Sequence, residues 1–334
     1  MTRWLVTGAG GMLGRDIVEV LRTRPGAVVT AAGHGELDIT DAAAVARAVP
    51  GHDIVVNAAA WTDVDGAEAA EDLATAVNGH AVGHLAGACA DNGVHLVHIS
   101  TDYVLTGDGD APLDEAAPPA PVNAYGRSKL AGERAVRAVL PHTGHVVRTA
   151  WLYGEHGPNF VATMLLLAAS RPDVRVVADQ HGQPTWSAAL AEGIVDLGGA
   201  ARAGRLAAGI YHGVAGGRTT WYGLARAVYE ECGLDPDRVR PTTTDRFPRP
   251  ARRPAFSVLA RRRWAEAGLE LMDDWRSQLR AALRRPGLAE LAEAARAVKA
   301  GAAPPGRGVA PGARSKTPST AKMAANSGDG PQLG

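Results

Sequence analysis

The chain alternates short apolar runs with amphipathic stretches. Trp4–Thr7, Ala27–Ala32, Asp53–Ala58, His95–Ser100 and His145–Thr149 are rich in Val, Ile and Leu and are bounded by Gly, Asp, Asn or Pro. Runs of that length and composition predict buried strands. Between them Met12–Thr23, Asp41–Val49, Ala67–Asn92 and Ala124–Val139 carry helical periodicity. Strand, helix, strand at this spacing predicts an α/β fold with a parallel sheet covered on both faces.

The second half is less regular. It predicts helices over Asn159–Ser170, Ala188–Ala201, Thr220–Cys232 and Leu279–Ala300, and strands over Val174–Ala178 and Gly209–Gly213. Val239–Pro254 is rich in Pro and Arg and reads as loop. The expected division is a nucleotide-binding domain over 1–150, a smaller substrate lobe over 151–300 and a disordered tail over 301–334. Whether later segments complete the first sheet is left open. The tail has 7 Gly and 5 Pro and no aromatic residue, too little apolar surface to fold alone.

Composition excludes more than it names. The formal net charge is zero, which argues against a dedicated nucleic-acid binder. The two cysteines, Cys89 and Cys232, have no metal-type spacing, as expected of a chain in a reducing cytoplasm. No run of about 18 uncharged apolar residues predicts a membrane span. One skew stands out: 31 of the 35 basic residues are arginine, and Lys129 is the single lysine before residue 299. A GC-rich genome accounts for the arginines.

Candidate chemistry begins at Thr7-Gly8-Ala9-Gly10-Gly11-Met12-Leu13-Gly14, which leaves the first strand and opens the first helix. Gly8 permits a tight turn, Gly11 close approach of a pyrophosphate, and Gly14 close packing. The helix N-terminus then faces the phosphates. The second strand ends Ala31-Ala32-Gly33-His34 without an acid; this permits NADPH and leaves NADH open. Asp38 and Ile39 follow where the chain can pass an adenine. Asn57-Ala58-Ala59-Ala60 ends the third strand with side chains small enough for a flat ligand.

Tyr125-Gly-Arg-Ser-Lys129 places a phenol and an ammonium four residues apart. On a helix they share a face, and a nearby ammonium favours the phenolate needed in acid–base work. Ser100-Thr101-Asp102-Tyr103 closes the fourth strand, where ligands lie in open α/β sheets. A hydroxyl there can hold a carbonyl against Tyr125; Thr101 is the first choice and Ser100 the second.

With these residues the chain resembles the dTDP-4-dehydrorhamnose reductases, within the extended short-chain dehydrogenase/reductase superfamily. The resemblance runs over roughly residues 3–285. It is carried by TGAGGMLG (7–14), LDITD (37–41), VVNAAAWTDVDGAE (55–68), HISTDYVLTG (98–107) and NAYGRSKLAGE (123–133). It continues through RTAWLYG (148–154), DQHGQPT (179–185), GIYHGVAGGRTTWYGLA (209–225) and RRPAFSVL (252–259). It implies a Rossmann-type doubly wound parallel sheet with a smaller C-terminal substrate lobe. It also implies NAD(P)H-dependent reduction of the C4 ketone of dTDP-4-dehydro-L-rhamnose to dTDP-L-rhamnose, by a monomer or homodimer.

On that resemblance Tyr125 protonates the forming alkoxide, Lys129 orients the ribose and Thr101 polarises the ketone. Thr62, Asp63, Asp102, Tyr103, Trp151, Asn159, Phe160, Arg252 and Arg253 line the sugar-nucleotide site. The chain departs from the family pattern in three places. Ala188 stands where some members carry a metal-ligating Glu, which argues against magnesium there. Phe256 replaces a polar residue and Leu105 an aromatic one. A dTDP-dihydrostreptose synthase, or another dTDP-4-ketohexose reductase, is the alternative enzyme. A non-catalytic NADP-binding regulatory subunit is the alternative of another class, and the intact Tyr125–Lys129 pair weighs against it.

Overall fold

The structure, a computed structural model, describes residues 1–299. Ala300 and the segment 301–334 lie outside the described residues. The N-terminal half runs β1 (Thr2–Thr7), α1 (Met12–Thr23), β2 (Ala27–Ala32), α2 (Ala42–Ala48), β3 (Ile54–Asn57), α3 (Val64–Ala69), α4 (Glu71–Thr75), α5 (Ala81–Asn92), β4 (His95–Thr101), α6 (Ala124–Val139) and β5 (Gly144–Thr149). Next come β6 (Leu152–Tyr153), α7 (Phe160–Ser170), β7 (Val174–Val177), β8 (His181–Gly182), β9 (Thr185–Trp186), α8 (Ser187–Arg202), β10 (Gly209–His212), β11 (Thr219–Thr220) and α9 (Trp221–Glu231). The chain closes with β12 (Val239–Thr242), α10 (Arg262–Glu266), α11 (Trp275–Ala282) and α12 (Pro286–Lys299).

Six strands form one parallel sheet in the order β10-β5-β4-β3-β1-β2. The connection from β1 goes to one side and that from β2 to the other, so the switch point lies between β1 and β3. That is where open α/β sheets bind ligands. On one face, Leu13, Ile17 and Leu21 of α1 and Leu190, Ile194 and Leu197 of α8 cover Trp4, Val6 and Val56. On the other, Val82 and Leu85 of α5 and Val136 of α6 cover Leu5, Val55 and Leu96. Each such Leu, Ile or Val side chain taken from water contributes about 1.5–3 kcal/mol.

Segments beyond residue 150 pack with this N-terminal core, among them α8, β10 and Trp264 of α10. A second core gathers α7, β7, α9, β12, α11 and α12. There β12 pairs in parallel with β7, so the stretch read as loop from Val239 begins with a strand. Its Pro241 lies in a two-stranded edge pair, where a missing N–H is tolerated. The expected helix Leu279–Ala300 is two helices, α11 and α12. Pro286 starts the second, since it cannot donate within a continuing helix.

The expected helix Ala67–Asn92 is also divided. Ala70 leaves the helical region (φ −141°), and a π-helical turn, Ala76–His80, joins α4 to α5. The turn aims the buried Asn78 at the loop after β3. Asn78 Oδ1 accepts from Trp61 N (2.9 Å), and its Nδ2 donates to Trp61 O (3.1 Å) and Ser128 Oγ (3.0 Å). Such turns recur at functional sites. This one clamps the Ala58–Trp61 loop to α6.

Candidate functional site

The carboxyl ends of β1, β3, β4 and β5 open onto a cavity of about 1190 Å³. The glycine loop forms its floor. Gly8 has φ +67°, and a side chain there would meet Ala59 N at 2.5 Å. Gly14 has no room for a side chain against the Gly8 carbonyl. At Gly11 a Cβ would approach the Gly8 carbonyl at 3.3 Å. The α1 N-terminus carries no side-chain cap and no acid in its first turn. Its free N–H groups and dipole suit an anion. Beneath the loop Thr7 Oγ1 donates to Asn57 Oδ1 (2.6 Å), and Asn57 Nδ2 donates to His98 Nδ1 (3.0 Å). Asn57 thus supports the loop from below and does not line the cavity.

Gly8, Gly11, Met12, Leu13, Gly14, Asp38, Ile39 and Ala58–Ala60 line the cavity's nucleotide end. Asp38 accepts from Thr40 N (2.9 Å) and Thr40 Oγ1 (2.7 Å), while Asp41 caps α2. The end of β2 differs from its sequence reading. A turn closed by Glu36 N–H to Gly33 O (3.2 Å) folds the Glu36 carboxylate back against Gly33. Linear order hides this acid. Arg15 and His34 line the cavity nearby, while Glu36 is exposed just outside its lining.

At the other end Thr101, Asp102, Tyr103, Tyr125, Lys129, Thr62 and Trp151 face one space. Asn123 caps α6 by accepting from Gly126 N (2.8 Å). That cap fixes the helix start, and helical geometry turns Tyr125 and Lys129 to the cavity. Burial, then the charge of Asp102, raises the Tyr125 phenol above its usual range; the Thr101 hydroxyl opposes this. Thr101 Oγ1 donates to Asp102 Oδ1 (2.9 Å) and accepts from Tyr103 N (3.2 Å). Burial pushes the Asp102 carboxyl up to about 6. Lys129 is 2% exposed and its Nζ donates to Ile99 O (2.7 Å). Burial lowers its pKa to about 8. Burial thus sets the direction of the Tyr125 shift, opposite to the lowering expected from a nearby ammonium.

Trp151 has φ +47°, the one non-glycine residue with positive φ among the described residues. Backbone strain of this kind costs about 1–3 kcal/mol and clusters at functional sites. Its ring stacks on Trp221 (3.6 Å between centroids, 6° between planes) and leaves no room for a side chain at Gly182. Trp221 also lines the cavity; no local pattern singled it out from the motif that contains it.

Asp63, Asn159, Phe160, Arg252 and Arg253 stand outside the lining. Asp63 and Asn159 are helix caps, accepting from Gly66 N (2.9 Å) and Ala162 N (3.0 Å). Phe160 packs on Trp221 at 4.7 Å. Arg253 is committed to Asp65, with Arg249 on the same carboxylate at 2.8 Å. Burial works against the Asp65 charge, but these arginines hold its carboxyl below the usual range. Arg252 is exposed and lies 3.9 Å from Asp108. Phe256 and Leu105 are buried, with Arg218 over the Phe256 ring.

Ala188 is partly buried on α8. Among the described residues, Asp16, Glu19 and His156 each bring one ligand atom within 4.8 Å of the others. Burial raises the Asp16 carboxyl, and Arg285 already occupies Glu19 (3.0 Å) and Glu155 (3.1 Å). Magnesium requires several hard oxygen ligands, and this set does not fit it.

Residues 2–287 match the family model described as the RmlD substrate binding domain. A dTDP-4-dehydrorhamnose reductase of Streptomyces griseus is 56% identical over 279 residues, covering 83% of this chain and 91% of that protein. A dTDP-4-keto-6-deoxy-D-glucose reductase of Streptomyces niveus is 48% identical, covering 83% and 95%. Among solved structures, a dTDP-4-dehydrorhamnose reductase of Bacillus anthracis in complex with NADP superimposes with a TM-score of 0.79. It is 35% identical, over 85% of this chain and 99% of that one.

Proposed function

The chain belongs to the dTDP-4-dehydrorhamnose reductase family, and from that premise we propose that it reduces the C4 ketone of dTDP-4-dehydro-L-rhamnose to dTDP-L-rhamnose. The observation that carries the reading is the convergence of Thr101, Tyr125 and Lys129 with the glycine loop on one cavity. A nicotinamide dinucleotide fits the cradle: Gly8 and Gly14 let the loop pack closely against the end of β3 and against itself, and the open α1 N-terminus suits its pyrophosphate. When bound, that cofactor supplies the hydride that reduces C4.

The chain's own residues do the rest. Reduction needs a phenol that begins protonated, and burial with Asp102 keeps Tyr125 so. The Tyr125 hydroxyl gives its proton to the oxygen of the former ketone. The Lys129 ammonium, held at Ile99 O, is placed to orient the ribose of the dinucleotide. Thr101 turns its hydroxyl from Asp102 to the ketone oxygen and polarises it. The Trp151–Trp221 stack borders the sugar-nucleotide end. The reading uses no metal.

Purified protein with dTDP-4-dehydro-L-rhamnose is expected to consume one NADPH per sugar reduced. NMR of the product is expected to show the rhamnose configuration. Stoichiometric turnover of dTDP-4-keto-6-deoxy-D-glucose instead overturns the substrate and leaves the reductase. The Streptomyces niveus relative makes that the second reading. Dihydrostreptose as product favours the antibiotic-sugar alternative. NADPH binding without turnover of any of these substrates points to the regulatory role.

Cofactor choice follows from the rim. The Glu36 carboxylate at the end of β2 favours a free 2′-hydroxyl over a 2′-phosphate, and Arg15 and His34 offset it. Both NADPH and NADH are therefore expected as donors. Glu36→Gln is expected to raise the NADPH/NADH ratio of kcat/KM by up to about fivefold, since an exposed charge interaction contributes at most about 1 kcal/mol. Steady-state kinetics with the two donors checks this, and an unchanged ratio removes Glu36 from selectivity.

A further inference from the structure

One turn beyond Lys129 on α6, Glu133 is buried (1% exposed) together with Arg148 of β5 (1%) and Ser100 of β4 (3%). Ser100 Oγ donates to Glu133 Oε1 at 2.6 Å. Arg148 Nε donates to the same oxygen at 2.9 Å, and Arg148 Nη2 donates to Oε2 at 2.7 Å. Ser100 and Arg148 are also direct partners in the β4–β5 register. The cluster therefore ties together the three elements that carry Thr101, Tyr125 with Lys129, and Thr149. The reaction as read above uses none of its members.

We propose that Glu133 is a positioning residue for the catalytic lysine: its carboxylate, oriented by Ser100 and Arg148, keeps the Lys129 ammonium charged in a buried site. This rests on the reductase reading. Burial and ion pairing pull in opposite directions here. Desolvation disfavours the ammonium, and the Glu133 charge is the group that restores it. Glu133 lies one helical turn from Lys129 on the same face of α6, while Arg148 pairs with its carboxylate from β5 at 2.7 Å.

The other neighbours do not supply that charge. His98 of β4 is neutral, its pKa driven well down by burial and by Lys129 itself. Asp102 is paired with Thr101 at the cavity wall and acts on Tyr125. Tyr125 stays a phenol. On the outer face of α6 Glu68 accepts from Ala124 N (2.8 Å), and Glu71 is paired with Arg127 (2.7 Å). From the π-helical turn the neighbour is the uncharged Asn78.

The sign of the test follows. Lys129 works as the ammonium, so activity falls on the alkaline side as pH rises through its pKa, about 8. Without the Glu133 charge that pKa falls further. In Glu133→Gln the alkaline limb of kcat is expected to move down by about one pH unit or more. At pH 6, where Lys129 is charged in both proteins, kcat is expected within a few-fold of wild type. Glu133→Asp, which keeps the charge, is expected to keep the limb in place. A role confined to packing lowers kcat at every pH and moves no limb. Glu133→Gln orphans a buried guanidinium, so Glu133→Gln/Arg148→Met removes both charges and serves if the single variant does not fold.

The same limb is read in NADPH affinity by fluorescence titration, which needs no sugar nucleotide. A limb unmoved in both the single and the double variant overturns the proposal. A wild type inactive on dTDP-4-dehydro-L-rhamnose overturns the substrate reading instead, and the NADPH titration still decides the part played by Glu133.

Discussion

Tyr125→Phe is expected to lower kcat by roughly 10²–10⁴-fold, the range of one positioned general acid, while NADPH binding stays within a few-fold of wild type. The substitution removes one oxygen and leaves the ring against Tyr103, 5.9 Å away edge to face. The cavity therefore keeps its shape, and the loss reports the proton. Thr101 cannot take over, because an alcohol is a far weaker acid than a phenol. Single-turnover reduction and a separate cofactor titration measure the two quantities. Retention of kcat within about threefold removes Tyr125 from proton donation. Lost kcat with lost cofactor binding shows damage to the site and no specific role in the chemistry.

Lys129→Arg is expected to lower kcat/KM by about 10²-fold or more. Arginine preserves the charge, so an effect of charge alone predicts little change. Lys129 is enclosed, with Nζ at 2.7 Å from Ile99 O and the Arg148 guanidinium behind Glu133. A planar fork with five donors finds neither space nor partners in this interior, and it offers no compact point charge to a ribose. The residual activity carries a second signature. Arginine does not titrate below about pH 12, so the alkaline limb near 8 disappears. A variant with near-wild-type kcat/KM shows that any buried cation suffices.

The glycine loop, the five N-terminal strands and the Tyr125–Lys129 face were legible along the chain because each follows from a local rule. A strand side chain alternates every second residue, and a helix face returns at the fourth. Gly8 has the left-handed φ that its place after a strand implied. The arginine bias made the lone early lysine visible and made the arginines poor guides. Arg253 is spent on Asp65 and Arg252 is exposed, so neither reaches the cavity. Propensity also read Ala67–Asn92 as one helix. Nothing local marks the π-helical turn, whose reason is Asn78 bonding a loop 17 residues away.

By itself, the order of residues determined the parallel α/β class, the dinucleotide loop and the presence of a phenol and an ammonium on one helical face. Tertiary structure alone decided which charges meet. Ser100, Glu133 and Arg148 converge only through strand order and the β4–β5 register. The physical reason is range. Backbone geometry repeats within four residues and is written in spacing, whereas the burial and pairing that set a side chain's charge depend on elements brought together from distant parts of the chain.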